Sequence, residues 1–424
     1  MHKKLKIFAA AALATAVFSS CAKKLEDPII IWTDSSEFAS YTELYNKQHN
    51  KKAVLVYKEH LETALPPASD EQKPDVIVGS WLKNKRTEKY FQESEFLFDR
   101  KFIRSGVFYK TLLQTGEVSG KQYLIPVSFN FPMVLYSKEN RNLIEDEYTI
   151  TIEQIRKIGA TYNQKDKRDK FTRIGFAPQS NKDFLTLAAQ IKGAGFTEDS
   201  NGNFTWNPQG LENALKYISS WISTENQDAQ TESDFVYKYL SMSADKRVTS
   251  GKTLFAYTTS DKLFTLPEEN LANIEYLWIV DDGMIPAQDS MVMMGISKWN
   301  KDLKGSAEFI SWFFSKETQT MILDRKKNMR LDNQTFGIAG GFSSLKEINE
   351  QELPAHYPTL LSNTPHADSI KSIQNMPMRW ESLKDRVVTP YIKEYLNHDE
   401  KKQIHSLEQR YGDWKKNTSL TKKS

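Results

Sequence analysis

The sequence predicts an α/β protein with two or three domains, and three observations lead to this prediction. The chain has 424 residues, and a domain usually holds roughly 100 to 200. Hydrophobic residues make up 39%, charged residues 26% and aromatic residues 12%, with only 18 Gly and 15 Pro. This composition is typical of a soluble globular protein and excludes disordered, collagen-like and multi-span membrane chains. Short apolar runs suited to strands alternate with helical segments, which predicts layers of helices on sheets.

The net charge gives no reason to expect a nucleic-acid partner. The formal charge is +3, from 57 Lys and Arg against 54 Asp and Glu. Lys3, Lys4 and Lys6 lie before residue 21, where there is no acidic residue, so the rest of the chain holds 54 residues of each sign. A balanced body lacks the net basic face that phosphates require.

Residues 1–20 have the features of a secretory signal peptide. A basic start is followed by an apolar run at 7–18, which is shorter than the ~20 residues that span a bilayer. The next residue, Cys21, is the only cysteine of the chain, so an internal disulfide is excluded. The Ser-Ser-Cys ending resembles the lipobox of bacterial lipoproteins, in which this cysteine becomes the lipidated first residue, although Phe18 stands where Leu is usual. We therefore expect an exported protein, anchored to a bacterial membrane through Cys21 and a linker at 21–27; the alternative is an ordinary cleaved signal followed by an idle thiol.

The first part of the body alternates strand and helix. Residues 28–33 form a compact apolar run suited to a buried strand, and 37–49 carry apolar residues at helical spacing. Residues 53–57 and 75–79 are short β-branched runs, the second introduced by Pro74. The pattern predicts parallel strands connected by a helix.

The remaining elements follow in the same style. Extended runs at 120–126 and 132–136 flank a turn-rich centre and predict a crossing between compartments. Thr151 with Gln154 forms a capping-box pattern, and Asn207 before Pro208 predicts a helix start. The helix that follows has one apolar stripe: Leu211, Ala214, Leu215, Ile218, Trp221 and Ile222. Later strands are predicted at 253–257, 274–280 and 291–296, a long helix at 306–323 and helical structure at 381–414.

Four segments, in chain order, are similar to a known family. They are Ile29–Thr33 (IIIWT), 74–78 (PDVIV), 120–138 (GKQYLIPVSFNFPMVLYSK) and 250–257 (SGKTLFAY). Together they resemble the extracellular solute-binding proteins of ABC importers, in the cluster that includes maltose- and other sugar-binding proteins. The third segment is the most specific, since it resembles a G-K-x-Y-x-x-P element followed by a strand that ends in Tyr and a small polar residue before Lys. Ser137 stands where the family usually has Asn, and the last hundred residues match only in being helical.

This resemblance implies two α/β lobes around a hinged cleft, each lobe a mainly parallel sheet flanked by helices. It implies a first lobe of 28–128 with 283–323, a second lobe of 129–282 with 324–414, and a polar tail at 415–424. Crossings between the lobes are expected at 129–132, at 281–286 and near Asp324. The implied function is capture of a small polar solute, foremost a mono- or oligosaccharide, and delivery to an ABC permease by a monomer that needs no cofactor.

Candidate ligand contacts follow the predicted strands. Trp32 ends the first strand and is followed by Asp34 and Ser35. Sugars pack their C–H faces on aromatic rings and bind hydroxyls to carboxylates, so this turn has suitable chemistry. Equally, Trp32 is explained as a core residue and Asp34 or Ser35 as a helix cap. Trp81 lies beyond the strand at 75–79, where a cleft contact is expected.

Further candidates lie at the crossings and in the second lobe. Phe129 and Asn130 occupy the first crossing, with simple turn chemistry as the alternative. Tyr257 and Thr258 end a predicted strand, where sugar-binding members often carry a stacking aromatic residue. Asp282 at the second crossing, with its neighbour Asp281, is a ligand acceptor or a solvated hinge acid. Trp380 is a second-lobe contact or a packing residue.

Other chemistries have weaker support. The seven histidines are scattered and lack metal-ligand spacing, so no metal site is predicted. No nucleophile-elbow, Walker or dinucleotide motif is present, and adjacent Asp residues do not establish a glycosidase pair, so an enzyme is not expected. Two alternatives stay open: a polyamine-binding transport protein, because Trp32 and Asp34 also suit ammonium groups, and a surface lipoprotein that uses the fold for attachment or signalling.

Overall fold

The computed structural model describes residues 27–100, 102–372, 375–397 and 404–420. The predicted signal peptide (1–20) and the predicted lipidated Cys21 lie outside the described residues and stay predictions.

Two main sheets organise the described chain. The larger has six strands and the smaller has four. In chain order the strands are β1 (Ile29–Thr33), β2 (Ala53–Tyr57), β3 (Val76–Ser80), β4 (Leu124–Phe129), β5 (Pro132–Ser137), β6 (Thr149–Ile150), β7 (Ala256–Thr259), β8 (Ile274–Ile279), β9 (Val292–Ile296) and β10 (Phe342–Ser343).

Most strands of each sheet run in one direction. The first sheet has the order β10-β4-β9-β3-β1-β2, in which β1 to β4 share a direction and β9 and β10 oppose them. The second has the order β7-β5-β8-β6, with only β5 reversed. Both sheets are therefore mixed, with most strands in one direction and one or two strands antiparallel to them. Short ladders add Glu117–Val118 with Lys121–Gln122, Gln164–Lys165 with Phe171–Arg173, Thr197–Glu198 with Phe204–Thr205, and Ile285–Pro286 with Ile370–Lys371.

Helices cover the sheets. The α-helices are Phe38–Gln48, Glu95–Asp99, Lys110–Gln114, Ile152–Tyr162, Lys182–Ile191, Pro208–Glu225, Ala229–Lys238, Ala244–Thr249, Ser260–Leu263, Glu268–Leu271, Leu303–Phe313, Lys316–Asn328, Leu353–His356, Trp380–Leu383, Thr389–Leu396 and Leu407–Leu420. Wide π turns cover Ile348–Glu352 and Lys384–Val388. Within the described residues, none of these helices is both long and apolar enough to pass through a membrane.

Local sequence signals predicted several helix starts correctly. The Thr151 hydroxyl accepts from the Gln154 N–H, and the Gln154 side chain accepts from the Thr151 N–H, which completes the predicted capping box. The Asn207 side chain accepts from the Gly210 N–H at 3.1 Å, with Pro208 at the first helical position. The whole predicted apolar stripe of Pro208–Glu225 is buried.

The predicted long helix at 306–323 is wrong, because the chain forms two helices there. The first helix, Leu303–Phe313, is followed by its C-cap residue Phe314. The second helix, Lys316–Asn328, is capped by the Ser315 hydroxyl, which accepts from the Thr318 N–H at 3.1 Å. A serine able to hydrogen-bond backbone groups stops one helix and starts the next. At the chain end, Leu407–Leu420 continues through part of the predicted polar tail.

Within the described residues, the chain crosses between the lobes at three places. The first joins β4 to β5 and the second joins β8 to β9. The third does not lie near Asp324, which is inside a helix. The chain instead returns to the first sheet at β10 and crosses near Ile370–Lys371, which pairs with Ile285–Pro286 of the second crossing. The predicted second-lobe segment 324–414 is therefore corrected: its part up to β10 belongs to the first sheet.

One hydrophobic core continues from the first lobe to one face of the second sheet. The Phe131 ring lies 5.5 Å from Trp278 of β8 and 5.4 Å from Phe342 of β10, centroid to centroid. Phe336 packs 5.0 Å from Phe342 and 4.8 Å from Phe264. The opposite face of the second sheet packs on a separate core with Trp221 and Trp380.

Candidate functional site

A cavity of about 350 Å³ lies where the second crossing meets the second lobe. Its walls come from the helix Lys182–Ile191, from the crossing residues 286–289, and from a later group of side chains: Lys371, Ser372, Met376, Trp380 and Lys384. The edge-on contact of Tyr257 with Phe184, 5.8 Å between centroids, fixes the tyrosine ring in this wall. We call this space the cleft cavity.

A charged cluster forms one wall of the cleft cavity. The Lys384 ammonium lies 3.2 Å from an Asp183 oxygen and 3.1 Å from an Asp289 oxygen. The Trp380 indole N–H donates to the same Asp289 carboxylate. Burial lowers the pKa of Lys384, but the charges of Asp289 and Asp183 outweigh it, so the pKa is raised overall and the ammonium stays charged.

A smaller cavity lies next to the first and shares Asp289 and Met376 with it. It is lined from the first lobe by Trp81 and Met291 and from the second by Asn375 and Met376. The Trp81 ring packs against the second-lobe core although it follows a first-lobe strand. Its backbone has a φ of 53°, a region that a bulky residue adopts only under strain. Its indole nitrogen is buried without a hydrogen-bond partner in the described structure.

Two acidic side chains lie at the carboxyl ends of β1 and β3. Asp34 accepts from the Ser80 N–H at 3.2 Å, and burial raises its pKa to about 7 despite this hydrogen bond. Glu62 is buried nearby, and burial raises its pKa while the charges of His60 and Arg379 oppose the shift. Since Arg379 precedes the second-lobe Trp380, Glu62 interacts with a charge across the lobe boundary.

The other predicted contacts of the first lobe lie away from the cavities. Trp32 is 1% exposed in the core, with the Lys58 ammonium 4.3 Å from its ring centroid. The Ser35 carbonyl accepts from the Phe38 N–H at the start of a helix. Phe129 is 1% exposed within the aromatic core.

Asn130, in the first crossing, forms hydrogen bonds to three other segments of the chain. Its side-chain oxygen accepts from the Ser260 hydroxyl at 2.6 Å, its side-chain nitrogen donates to the Gly340 carbonyl at 2.9 Å, and its own carbonyl accepts from the Gln288 N–H at 2.8 Å. Thr258 is buried and outside the cavities, and Asp282 is exposed with a φ of 50°.

The structure thus brings Trp81, Tyr257 and Trp380 to adjacent cavity walls. Sequence reasoning missed Asp289, Lys384 and Asp183. Lys384 had a signal, since it follows Trp380 by four residues and such pairs share a helix face. Asp289 had none, because its partners lie 91 and 95 positions away.

The cavities also contain a second ion pair, and no donor set for a metal. Asp281, next to the predicted Asp282, lines the cleft cavity and pairs with Lys371. Among the residues that the structure describes, no three His, Cys, Asp or Glu side chains are placed to hold a metal ion.

The fold and cavity define a two-lobed binding protein, and comparisons with known proteins identify its family. The protein-family model described as "bacterial extracellular solute-binding protein" matches residues 41–326 of this chain. The chain belongs to this family, which confirms the sequence-based assignment. No curated protein matches the chain.

Solved structures share the two-lobed α/β fold. The sugar-binding protein MalE from Xanthomonas citri has a TM-score of 0.63 at 14% identity, covering 92% of this chain and 96% of that one. An ABC substrate-binding protein from Listeria monocytogenes in complex with cycloalternan has a TM-score of 0.59 at 12% identity, covering 93% and 98%. Maltose-bound MalE3 from T. maritima has a TM-score of 0.58 at 14% identity, covering 93% and 100%. The predicted fold class is confirmed.

Proposed function

We propose that this protein captures a short saccharide in the interlobe cleft and presents the closed form to an ABC permease, as an exported, lipid-anchored binding protein. The observation that carries the proposal is the cleft cavity, whose walls combine the aromatic rings of Tyr257 and Trp380 with polar side chains such as Gln190 and Gln288. Aromatic faces accept the C–H side of a sugar, while carboxylate and amide groups bind its hydroxyls.

The size of the cavity supports a short ligand. About 350 Å³ lies at the lower end of the range of roughly 300–1,000 Å³ for small-molecule sites. The smaller cavity extends the space toward Trp81, whose indole nitrogen is buried without a hydrogen-bond partner in the described structure. Solved structures of similar fold carry maltose and cycloalternan, in keeping with a saccharide.

The charges of the cavity favour a neutral polyol over a polyamine. Asp183 and Asp289 are paired with Lys384, and Asp281 with Lys371. A polyamine would have to displace these ammonium groups from their carboxylates, whereas a neutral sugar can bind beside the ion pairs without breaking them.

Calorimetry with a panel of maltose, maltotetraose, mannotriose and spermidine tests the proposal. We expect binding of at least one saccharide and none of spermidine. Trp81→Ala should weaken that binding by about 1–3 kcal/mol through loss of an aromatic contact. Because Trp380 is buried, it is tested by the conservative Trp380→Phe, which should weaken binding by less. Trp299→Ala is the matched control, because Trp299 stacks on Tyr90 and lines neither cavity.

Binding of spermidine alone would replace the saccharide with a polyamine, and no binding at all would favour an attachment or signalling role. Saccharide binding that survives both cleft variants would remove the ligand from this cleft. Lipid anchoring has its own test, which is the mass of the mature amino terminus from native membranes: acyl chains on Cys21 are expected, and a free thiol would contradict the anchor.

A further inference from the structure

We propose that Asp289 is a positioning residue that holds the Trp380 ring in the cleft wall and couples that ring to the first lobe. This inference rests on the proposed function and adds a residue that acts through another side chain. It explains how contact with a ligand and the arrangement of the lobes can depend on each other.

Asp289 lies at the end of the second crossing, next to the first sheet, and its side chain contacts the second lobe. It lies three residues before β9, the strand that is flanked by β3 and β4 inside the first sheet. Its carboxylate accepts from the Trp380 indole and from Lys384, both second-lobe residues. A movement of β9 relative to the second lobe therefore acts directly on Trp380.

The backbone around Trp380 is irregular on both sides. Arg379 precedes it with a φ of 65°, in the left-handed region. The wide π turn Lys384–Val388 follows it. Such departures cost free energy and are concentrated at functional positions. Here they present Trp380 and Lys384 to one carboxylate.

The two groups that donate to the Asp289 carboxylate, the Trp380 indole and the Lys384 ammonium, are both buried. Trp380 is 1% exposed and Lys384 is 8% exposed. A buried indole N–H needs an acceptor, and a hydrogen bond to an ionised acceptor is roughly twice as strong as one between neutral groups. Lys384 also reaches Asp183 of the helix Lys182–Ile191, so Asp183 can be changed to disturb the ion pairs without touching the indole.

Coupling through Asp289 is necessarily reciprocal. If the arrangement of the lobes sets the position of the Trp380 ring, then a ligand that stacks on the ring favours one arrangement. The link would make the ring part of the hinge response as well as part of the binding wall.

The first experiment needs no ligand. In the full chain labelled with ¹⁵N at its nine tryptophans, the Trp380 indole N–H signal is assigned by its loss in Trp380→Phe. We expect a large upfield shift of this signal in Asp289→Ala, a smaller one in Asp289→Asn, which keeps an acceptor, and none in Asp183→Asn. An unshifted signal in Asp289→Ala would overturn the inference, and the isosteric Asp289→Asn serves if the alanine variant does not fold.

The second experiment measures affinity for the saccharide that the wild-type protein binds best among maltose, maltotetraose and mannotriose. Asp289→Ala should weaken binding about tenfold or more, Asp289→Asn should restore most of it, and Asp289→Ala should cost less than twofold in a Trp380→Phe background, which lacks the indole donor. An equal loss in both backgrounds would contradict action through Trp380. If the wild-type protein binds none of these sugars, the saccharide proposal fails while the indole signal still decides the role of Asp289.

Discussion

The carboxylate of Glu198 in the second lobe accepts the backbone N–H of Lys85 in the first lobe, with nitrogen to oxygen distances of 2.9 and 3.1 Å. The surrounding contact is tight, since a Cβ on Gly202 would lie 3.2 Å from the Lys85 and Arg86 side chains. The lobes are thus in contact here as well as at the hinge and around the cavities.

Acidic pH should strengthen this contact. Burial raises the pKa of Glu198 from its ordinary value of 4.5 to about 7, although the Lys85 N–H and the charges of Lys85 and Lys83 lower it and Glu88 raises it further. The Glu198 carboxyl therefore binds its proton more tightly in the folded protein than in the unfolded chain. Its contribution to the free energy of unfolding is complete below pH 4.5 and is lost as the pH rises through 7. Glu198→Gln, which stays uncharged and keeps an acceptor, should flatten this part of the profile.

Urea unfolding between pH 5 and 8 measures the effect as the difference between the wild-type protein and Glu198→Gln. Asp34 and Glu232 also have pKa values raised to about 7 by burial, but they are common to both proteins and cancel. Glu212→Gln is the control, because Glu212 is an exposed second-lobe acid paired with Lys216. Parallel pH profiles for wild type and Glu198→Gln would count against the prediction.

Replacing Trp32 should damage folding before binding. Its strand neighbours Val56 and Ile77 enclose it in register, and it is 1% exposed. Trp32→Ala should lower the free energy of unfolding by about 3–5 kcal/mol, as for other large aromatic truncations in cores. Urea denaturation measures this, and Trp32→Phe should lose less. A stable Trp32→Ala protein with weakened saccharide affinity would instead place Trp32 in the site.

The buried ion pair between Lys326 and Glu37 should be costly to break. The two side chains are 8% and 13% exposed and 2.7 Å apart, and the Thr335 hydroxyl also donates to Glu37. Lys326→Met should cost about 3–5 kcal/mol because it leaves a buried carboxylate without its cation. Adding Glu37→Gln should recover part of the loss. Lys216→Met, at an exposed pair, should change stability by less than about 1 kcal/mol, and an equal cost at both sites would argue against a burial effect.

Ser315 should contribute measurably to the start of the helix Lys316–Asn328. Its hydroxyl accepts from the Thr318 N–H, which has no partner within the helix. Ser315→Ala should cost about 1 kcal/mol in thermal or urea unfolding, and Ser315→Asp should retain most of the stability, since Asp is also a good cap. No difference between Ser315→Ala and the wild-type protein would show that the helix start is fixed by packing alone.

Local patterns predicted the parts of the fold that depend on neighbouring residues. The strand Ala53–Tyr57 and the cap at Thr151 are set by β-branched runs and by side chains within three positions. The third crossing was misplaced because its evidence is tertiary. The strand β10 has two residues, and its place is fixed by pairing with Phe129 and Ser128 more than two hundred positions earlier.

The candidate site divides in the same way. Tyr257 and Trp380 were predicted as contacts and lie in the cleft wall, and their contact with a ligand stays a prediction. Trp32 is followed by polar residues, as a ligand contact would be, but the neighbouring strands on both sides bury it. Asp289 lies in a turn with no sequence pattern around it, and its importance comes from a side chain 91 positions away.

The aromatic core shared by both lobes has a consequence for how the protein can be divided. Phe131 contacts Trp278 of one sheet and Phe342 of the other, so removal of either lobe would expose the rings that cover the remaining sheet. We therefore expect the two lobes to unfold together in one thermal transition, where two independent domains would give two. Neither lobe is therefore expected to fold alone, so the lobes cannot be exchanged separately with those of other proteins.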